Sequence, residues 1–311
     1  LYSSAASDVY KRQGDGAVTD QELFSVVGIL PEKTPAALPK RRRKLPLVPL
    51  AVLAVIVLGC LCAPLLTGRD PAYMDLANCA AAPSGQFWFG TDTMGRDIFA
   101  CIWYGGRVSL AVGFLAAAVS TVIAVVYGAV SGMAAPWLDT AMMRLTELLG
   151  SVPSLLLVLF LQAILGTANV LSLSLVIGVT GWCAMAKVVR TEVRQLRHSG
   201  YVIACRCMGG SFHRVLWRHL APNFVSSILF MVVMSVSTAI AAESTLSFLG
   251  MGLPLDIISW GSMLTLSQQA LNRGAWWIIV IPGAFLVAVL VCVTAIGGWL
   301  RRAFDRRQSN L

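Results

Sequence analysis

From Leu148 to Ala186 the chain carries no charged residue. A stretch of about 20 apolar residues already crosses a hydrocarbon core about 30 Å thick, so this run is long enough for a membrane span and too long for one helix. The Gly166-Thr167-Ala168-Asn169 cluster is the natural turn within it and divides it into spans near 148–166 and 170–187. Lipid offers the backbone no hydrogen-bond partner, so both spans must be helices. The whole chain has the same character: 57% of its 311 residues are hydrophobic and 13% are charged. A soluble domain carries about 25% charged residues, and half that supply cannot cover a water-facing surface. The fold class expected is an all-α integral membrane protein.

Four more apolar runs fall near 47–66, 108–131, 224–242 and 275–300, the last with Pro282 and Gly283 near its start, which makes six transmembrane helices. Placing the N-terminal arm inside puts 17 Lys and Arg on the inner side, including Lys40–Lys44, Arg144, Lys187–Arg218 and Arg301–Arg307. Only Arg69, Arg96, Arg107 and Arg273 then lie outside. This bias predicts an N-in/C-in topology. It also accounts for the net charge of +9 without nucleic acid, because the basic residues sit between spans and not on a face interleaved with aromatics.

The expected organisation is a leader, an arm, a membrane domain and a tail. Residues 1–13 match nothing in the apolar pattern and read as a non-native leader. Residues 14–44 form a polar cytoplasmic arm. Residues 45–307 form the six-helix domain, with a basic cytoplasmic segment at 190–223, and 308–311 are a tail. Most of the eight cysteines fall in or beside apolar spans and read as small apolar fillers. Only Cys79 and Cys101 share a segment placed outside, where a disulfide is permitted but nothing in the pattern calls for one. Gly128 and Gly132 have GxxxG spacing, which allows close helix contact.

Chemistry-bearing patterns are few. Gly90-Thr91-Asp92-Thr93-Met94-Gly95-Arg96-Asp97 has the glycine spacing of a phosphate-binding loop, but Arg96 and Asp97 stand where such a loop needs Lys and Ser or Thr. Any ATP hydrolysis that drives this chain belongs to another subunit. Tyr201–Asn223 reads as a short helix, a Gly209-Gly210 break, a basic amphipathic piece and then Pro222. Its two readings are a docking element for a cytosolic partner and a solvated connector. Glu243, at the outer end of the fifth span, lines a pathway or pairs with Arg107 or Arg273. Arg144 and Glu147 are spaced to pair along one helix. His198, His213 and His219 lack a plausible ligand set, so no metal site is expected. Trp260, Trp276, Trp277 and Trp299 read as anchors at the membrane interface.

The 201–223 segment resembles the "EAA" coupling motif of ABC importer permeases, whose peptide-type branch reads approximately YVEAARALG and then a stretch ending RHILPN. Tyr201, Val202, Ala204, Arg206, Gly209, Arg218, His219, Pro222 and Asn223 match it. Two further stretches are similar to the same branch. One is Phe89–Asp92 through Gly95-Arg96-Asp97 and Tyr104–Arg107. The other is Glu243–Gly250 followed by Ser259-Trp260-Gly261. The resemblance covers roughly residues 43–307. Ile203 stands where the motif usually has Glu, and Cys205 where it usually has Ala, which puts the charge of the coupling contact in question.

The resemblance implies the second permease of a dipeptide, oligopeptide or nickel importer, with the type I permease fold, in a bacterial inner membrane. Its partners would be a homologous permease, two cytosolic ATPases and an extracytoplasmic solute-binding protein, with lipid around it. ATP and magnesium would be used by the ATPases, and no cofactor would be bound by this chain. Tyr201, Ala204, Arg206, Gly209, Gly210, Arg218 and Pro222 would carry the coupling contact. Gly90, Thr91, Asp92, Gly95, Arg96 and Asp97 would form the family's outer motif. An ion-coupled secondary transporter is the rival class, but it calls for interior ionisable residues or for paired broken helices in two related halves, whereas the charges sit at span ends and no clear internal repeat is present.

Overall fold

The computed structural model describes residues 45–166, 168–209, 221–271 and 274–308. The leader at 1–13, the arm at 14–44 and most of the tail therefore lie outside the described residues. The described chain is helical: α1 (Leu47–Leu61), α2 (Ala63–Leu66), α3 (Ile98–Met133), α4 (Pro136–Ser151), α5 (Ser154–Leu165), α6 (Val170–Gly181), α7 (Cys183–Leu196), α8 (Gly200–Cys207), α9 (Ala221–Phe248), α10 (Trp260–Leu271) and α11 (Trp277–Gln308).

Helix α3 begins ten residues before the apolar run does. The Asp97 carboxylate accepts the Phe99 N–H at 3.0 Å and starts the helix at Ile98. Its 36 residues rise about 54 Å, well beyond the depth of a hydrocarbon core. The charge-free run is cut differently from the expectation. Val152 is extended ahead of Pro153, as the proline ring requires, and α4 and α5 meet there at 89°. Gly166, at φ +82°, ends α5, and an Asn169–Ser172 capping box starts α6. Helices α6 and α7 bend by 48° beside Thr180, whose hydroxyl bonds back to the carbonyls of Val176 and Ile177, and Gly181.

Among the described residues α3, Ile228–Phe248 of α9 and Trp277–Ala303 of α11 are each long and apolar enough to cross a membrane, and counting each bent pair as one span gives up to five. At 15 residues, α1 is shorter than that standard. Arg107 of α3 donates to the carbonyls of Cys60 and Leu61, each at 2.7 Å, and so satisfies the end of α1. The long helix α3 is central. At one end Ile98, Ile102, Ile240, Trp260, Ile278 and Val289 join α3, α9, α10 and α11. At the other end Val189, Val193, Val202, Cys205 and Ile228 join α7, α8 and α9. Gly128 and Gly132 lie directly on α7, against Val189 and Val193, and a β-carbon on either would collide with the α7 backbone or those side chains. The GxxxG spacing therefore marks a real helix contact.

Candidate functional site

At the C-terminal end of α3 the chain turns sharply and ties three helices together. Asp139, in the first turn of α4, accepts two hydrogen bonds from Arg190 and one from Arg194, both on α7, and one from Ser131 on α3. Arg197 adds a hydrogen bond to the Gly132 carbonyl at 3.1 Å. The buried stripe Met185, Ala186, Val189, Val193 explains why α7 presents its arginines on one side and packs on the other. Arg144 and Glu147 form an exposed pair at 2.8 Å, as their spacing predicts.

Helix α8 follows directly. Val202 and Cys205 are buried against α7 and Ile228, while Ile203 is 49% and Met208 81% exposed and Ala204 and Cys207 are exposed as well. The two departures from the family motif therefore differ in kind: Cys205 fills the core, and Ile203 faces outward. Gly209 holds φ +80° with open space around it, a backbone state that glycine adopts at no steric cost. Tyr201, Arg206 and Pro222 lie in the described helices α8 and α9, whereas Gly210 and Arg218 lie outside the described residues.

At the opposite end of α3, residues 90–97 form a closed turn. The Asp92 carboxylate accepts the N–H groups of Met94 and Arg96 and the Arg96 Nε at 2.7 Å, and both side chains are buried. Arg96 also reaches the Leu255 carbonyl, and Trp277 Nε1 donates to the Thr91 carbonyl. Gly95, at φ +77°, lies against Asp75, where a side chain would collide with the backbone. The glycines that suggested a phosphate loop thus serve a tight turn whose arginine is neutralised internally. Asp97 caps α3 and pairs with Arg69 at 3.1 Å.

Glu243 corrects one expectation. It does not pair with Arg107, whose guanidinium is held by the end of α1, and its side chain is fully buried. Arg273 lies outside the described residues. Four serines donate to the carboxylate instead: Ser109 at 3.2 Å, Ser244 at 3.3 Å, Ser247 at 3.0 Å and Ser259 at 2.7 Å. Three of them also accept a backbone N–H. Ser109 takes that of Trp260, Ser247 that of Leu253 and Ser259 that of Ser262. The carboxylate is thereby the hub that fixes the segment 250–262 to α3 and α9. Gly261 packs on Ser244 and Ser247, which explains why the stretches 243–250 and 259–261 belong together.

Trp260 corrects another expectation. It is fully buried, donates from Nε1 to the Ile102 carbonyl at 3.0 Å, and is no interfacial anchor, whereas Trp276 is exposed. All the cysteines, Cys79 and Cys101 included, are free thiols. The serine hub was not anticipated: Ser109 and Ser259 are far apart in sequence, and only the density of serines at 244, 247, 259 and 262 hints at it.

Residues 124–310 match the family described as "Binding-protein-dependent transport system inner membrane component". The chain is 36% identical over 265 residues to the oligopeptide transport system permease protein OppC of Bacillus subtilis (strain 168), covering 85% of this chain and 86% of that one. It is 34% identical to the dipeptide transport system permease protein DppC of the same organism, covering 85% and 82% of the two chains. Against the dipeptide transport system permease protein DppC of Alkalihalophilus pseudofirmus it is 32% identical over 270 residues, covering 87% and 88%.

Proposed function

The chain belongs to the family of binding-protein-dependent transport system inner membrane components, and from that premise we propose that it forms the pathway of an ATP-binding-cassette importer for di- or oligopeptides. It is a transport subunit and not an enzyme. The relatives named above are peptide permeases, which supports peptides over nickel as the cargo and an ABC importer over an ion-coupled carrier.

In this reading six helices cross a bacterial inner membrane with both termini inside, α1 with α2 making the first span and the two bent pairs the third and fourth. The outer turn at Gly90–Asp97 faces the solute-binding protein. A homologous permease pairs with this chain, and two ATPases bind and hydrolyse ATP with magnesium on the cytoplasmic side. Residues 190–223 dock on an ATPase through Tyr201, Ala204, Arg206, Gly209, Gly210, Arg218 and Pro222.

The observation that carries the reading is the build of α8. Its Val202 and Cys205 are sunk into the bundle while Ile203 and Met208 are left exposed, and α7 just before it is bolted to α3 and α4 through Asp139. A load on α8 is therefore transmitted to the bundle as a rigid-body movement. With Ile203 in place of the motif's Glu, the contact rests on apolar burial and shape at that position. Glu243 acts as a clamp on the outer segment and not as a contact for cargo.

The test is to co-express the tagged chain with its partner permease and ATPases and to measure ATPase retention and ATP-dependent dipeptide uptake in proteoliposomes. The wild type should retain the ATPase and take up peptide. Gly209→Asp should insert normally but lose both activities. Equal retention and uptake by the two proteins would overturn the assignment of α8.

A further inference from the structure

Between α3, α5, α6 and α9 lies a cavity of about 170 Å³. Each of the four helices contributes a hydroxyl to it: Ser120, Ser154, Thr180, and both Ser235 and Thr238. Every described lining side chain is a hydroxyl, an aliphatic group or the hydrogen of Gly181. Among its lining residues Ser154 and Thr238 are exposed, whereas Ser120 has 3% of its surface exposed.

The hydroxyls are not equally satisfied. Thr180 bonds to carbonyls of its own helix, and Thr238 donates to the Ser235 carbonyl at 3.0 Å. The next residue on α3, Thr121, likewise donates to the Ala117 carbonyl. Ser120 Oγ makes no such bond: it is buried and has no hydrogen-bond partner among the described residues. Buried polar atoms are nearly always paired, so a lone one in the wall of a cavity points to something that pairs with it there. A β-carbon at Gly181 would stand 3.6 Å from this oxygen, so Gly181 of α6 is its neighbour across the helix contact. One turn beyond Val158 on α5, Gln162 has a second buried and unpaired atom, Oε1.

Resting on the peptide-importer reading above, we propose that this cavity is a subsite on the translocation pathway for the main chain of the peptide, with Ser120 as its hydrogen-bonding group. A hydroxyl both donates and accepts, so it can answer either the N–H or the C=O of a peptide unit. The uncharged lining offers no counter-charge that would select one kind of side chain, and Val158 and Ile177 add apolar surface. The volume is below the roughly 300–1,000 Å³ of pockets that enclose a whole drug-sized ligand, so it receives a part of the cargo, on the order of one residue. A few neutral hydrogen bonds also suit a pathway, where binding must be strong enough to admit cargo and weak enough to release it.

The experiment uses the assembled importer in proteoliposomes and a radiolabelled tripeptide with a central benzophenone side chain. During ATP turnover, photo-crosslinks should fall on residues 116–120, 154–158, 177–181 or 235–242. Thr238→Phe, at an exposed lining residue, should lower uptake at least five-fold with the ATPase still bound, and Ser120→Ala should lower it in the same direction. Crosslinks confined to other segments, or a reduction of less than five-fold in Thr238→Phe, would overturn the subsite. A Thr238→Phe complex that does not assemble leaves the wild-type crosslink map to decide. A wild-type importer that takes up no peptide would refute the peptide reading itself, whereas uptake with crosslinks elsewhere refutes only the subsite.

Discussion

Arg190 grips Asp139 with two parallel hydrogen bonds, Nε to Oδ1 at 2.5 Å and Nη2 to Oδ2 at 2.6 Å. The pair joins the start of α4 to the middle of α7, and Ser131 of α3 shares the same carboxylate. Bidentate pairing of this kind fixes orientation as well as distance.

Replacing Asp139 by Asn should therefore weaken the junction by about 1–3 kcal/mol, less than for a fully buried pair because both side chains retain some exposure. Thermal unfolding of the detergent-solubilised complex measures it. An Arg190→Gln partner change should cost less in the Asp139→Asn background than alone, and strict additivity would show that the pair is not coupled.

At the serine hub, Glu243→Ala should leave hydroxyls of four serines without their shared acceptor. The expected loss is about 2–4 kcal/mol, read as a lower melting midpoint and as faster proteolysis between residues 250 and 262. Glu243→Gln keeps an acceptor oxygen and should recover most of the stability. Equal behaviour of the Ala and Gln variants would count against the hub.

Gly132 packs on the Arg190 carbonyl and on Val193. Gly132→Leu should force α3 and α7 apart at a cost of about 1–3 kcal/mol, and Gly132→Ala should cost less. A cysteine-crosslinking distance between the two helices would report the separation.

Asp92→Asn should leave the Arg96 guanidinium buried without its counter-charge, costing about 3 kcal/mol. Trypsin should then cut the 67–97 region faster than in the wild type, while the α7–α8 end is unaffected.

Cys207 is an exposed thiol on α8. On the proposed topology, a membrane-impermeant maleimide should label it in inside-out vesicles and not in right-side-out ones. The reverse pattern would invert the topology.

The hydropathy pattern made the apolar helices legible because lipid imposes one requirement on every span, and the Gly166–Asn169 turn was legible because glycine and a capping asparagine mark helix ends locally. The right-angle break at Pro153 was not. It lies inside a charge-free run, and α4 carries Asp139, Arg144 and Glu147, so hydropathy alone separated a helix from its own continuation. The surroundings of Trp260 and the partners of Glu243 were missed for a related reason. Tryptophan and glutamate have strong average preferences for interfaces, and here each is overridden by partners distant in sequence, Ile102 for one and Ser109 for the other. The lone hydroxyl of Ser120 left no trace in the pattern, since serine is common in apolar helices and its unpaired state depends on three neighbouring helices.

The bend between α4 and α5 also bears on the lipid around the protein. The 12 residues of α5 rise about 18 Å, little more than half of a hydrocarbon core about 30 Å thick, while α4 turns away at 89°. On the proposed topology, acyl chains that meet this corner would shorten their reach or tilt, at a cost of a fraction of a kcal/mol per Å of mismatch. Bilayer thickness then becomes a variable of the importer: transport in thin, short-chain membranes should exceed that in thick ones to the extent that lipid meets this corner.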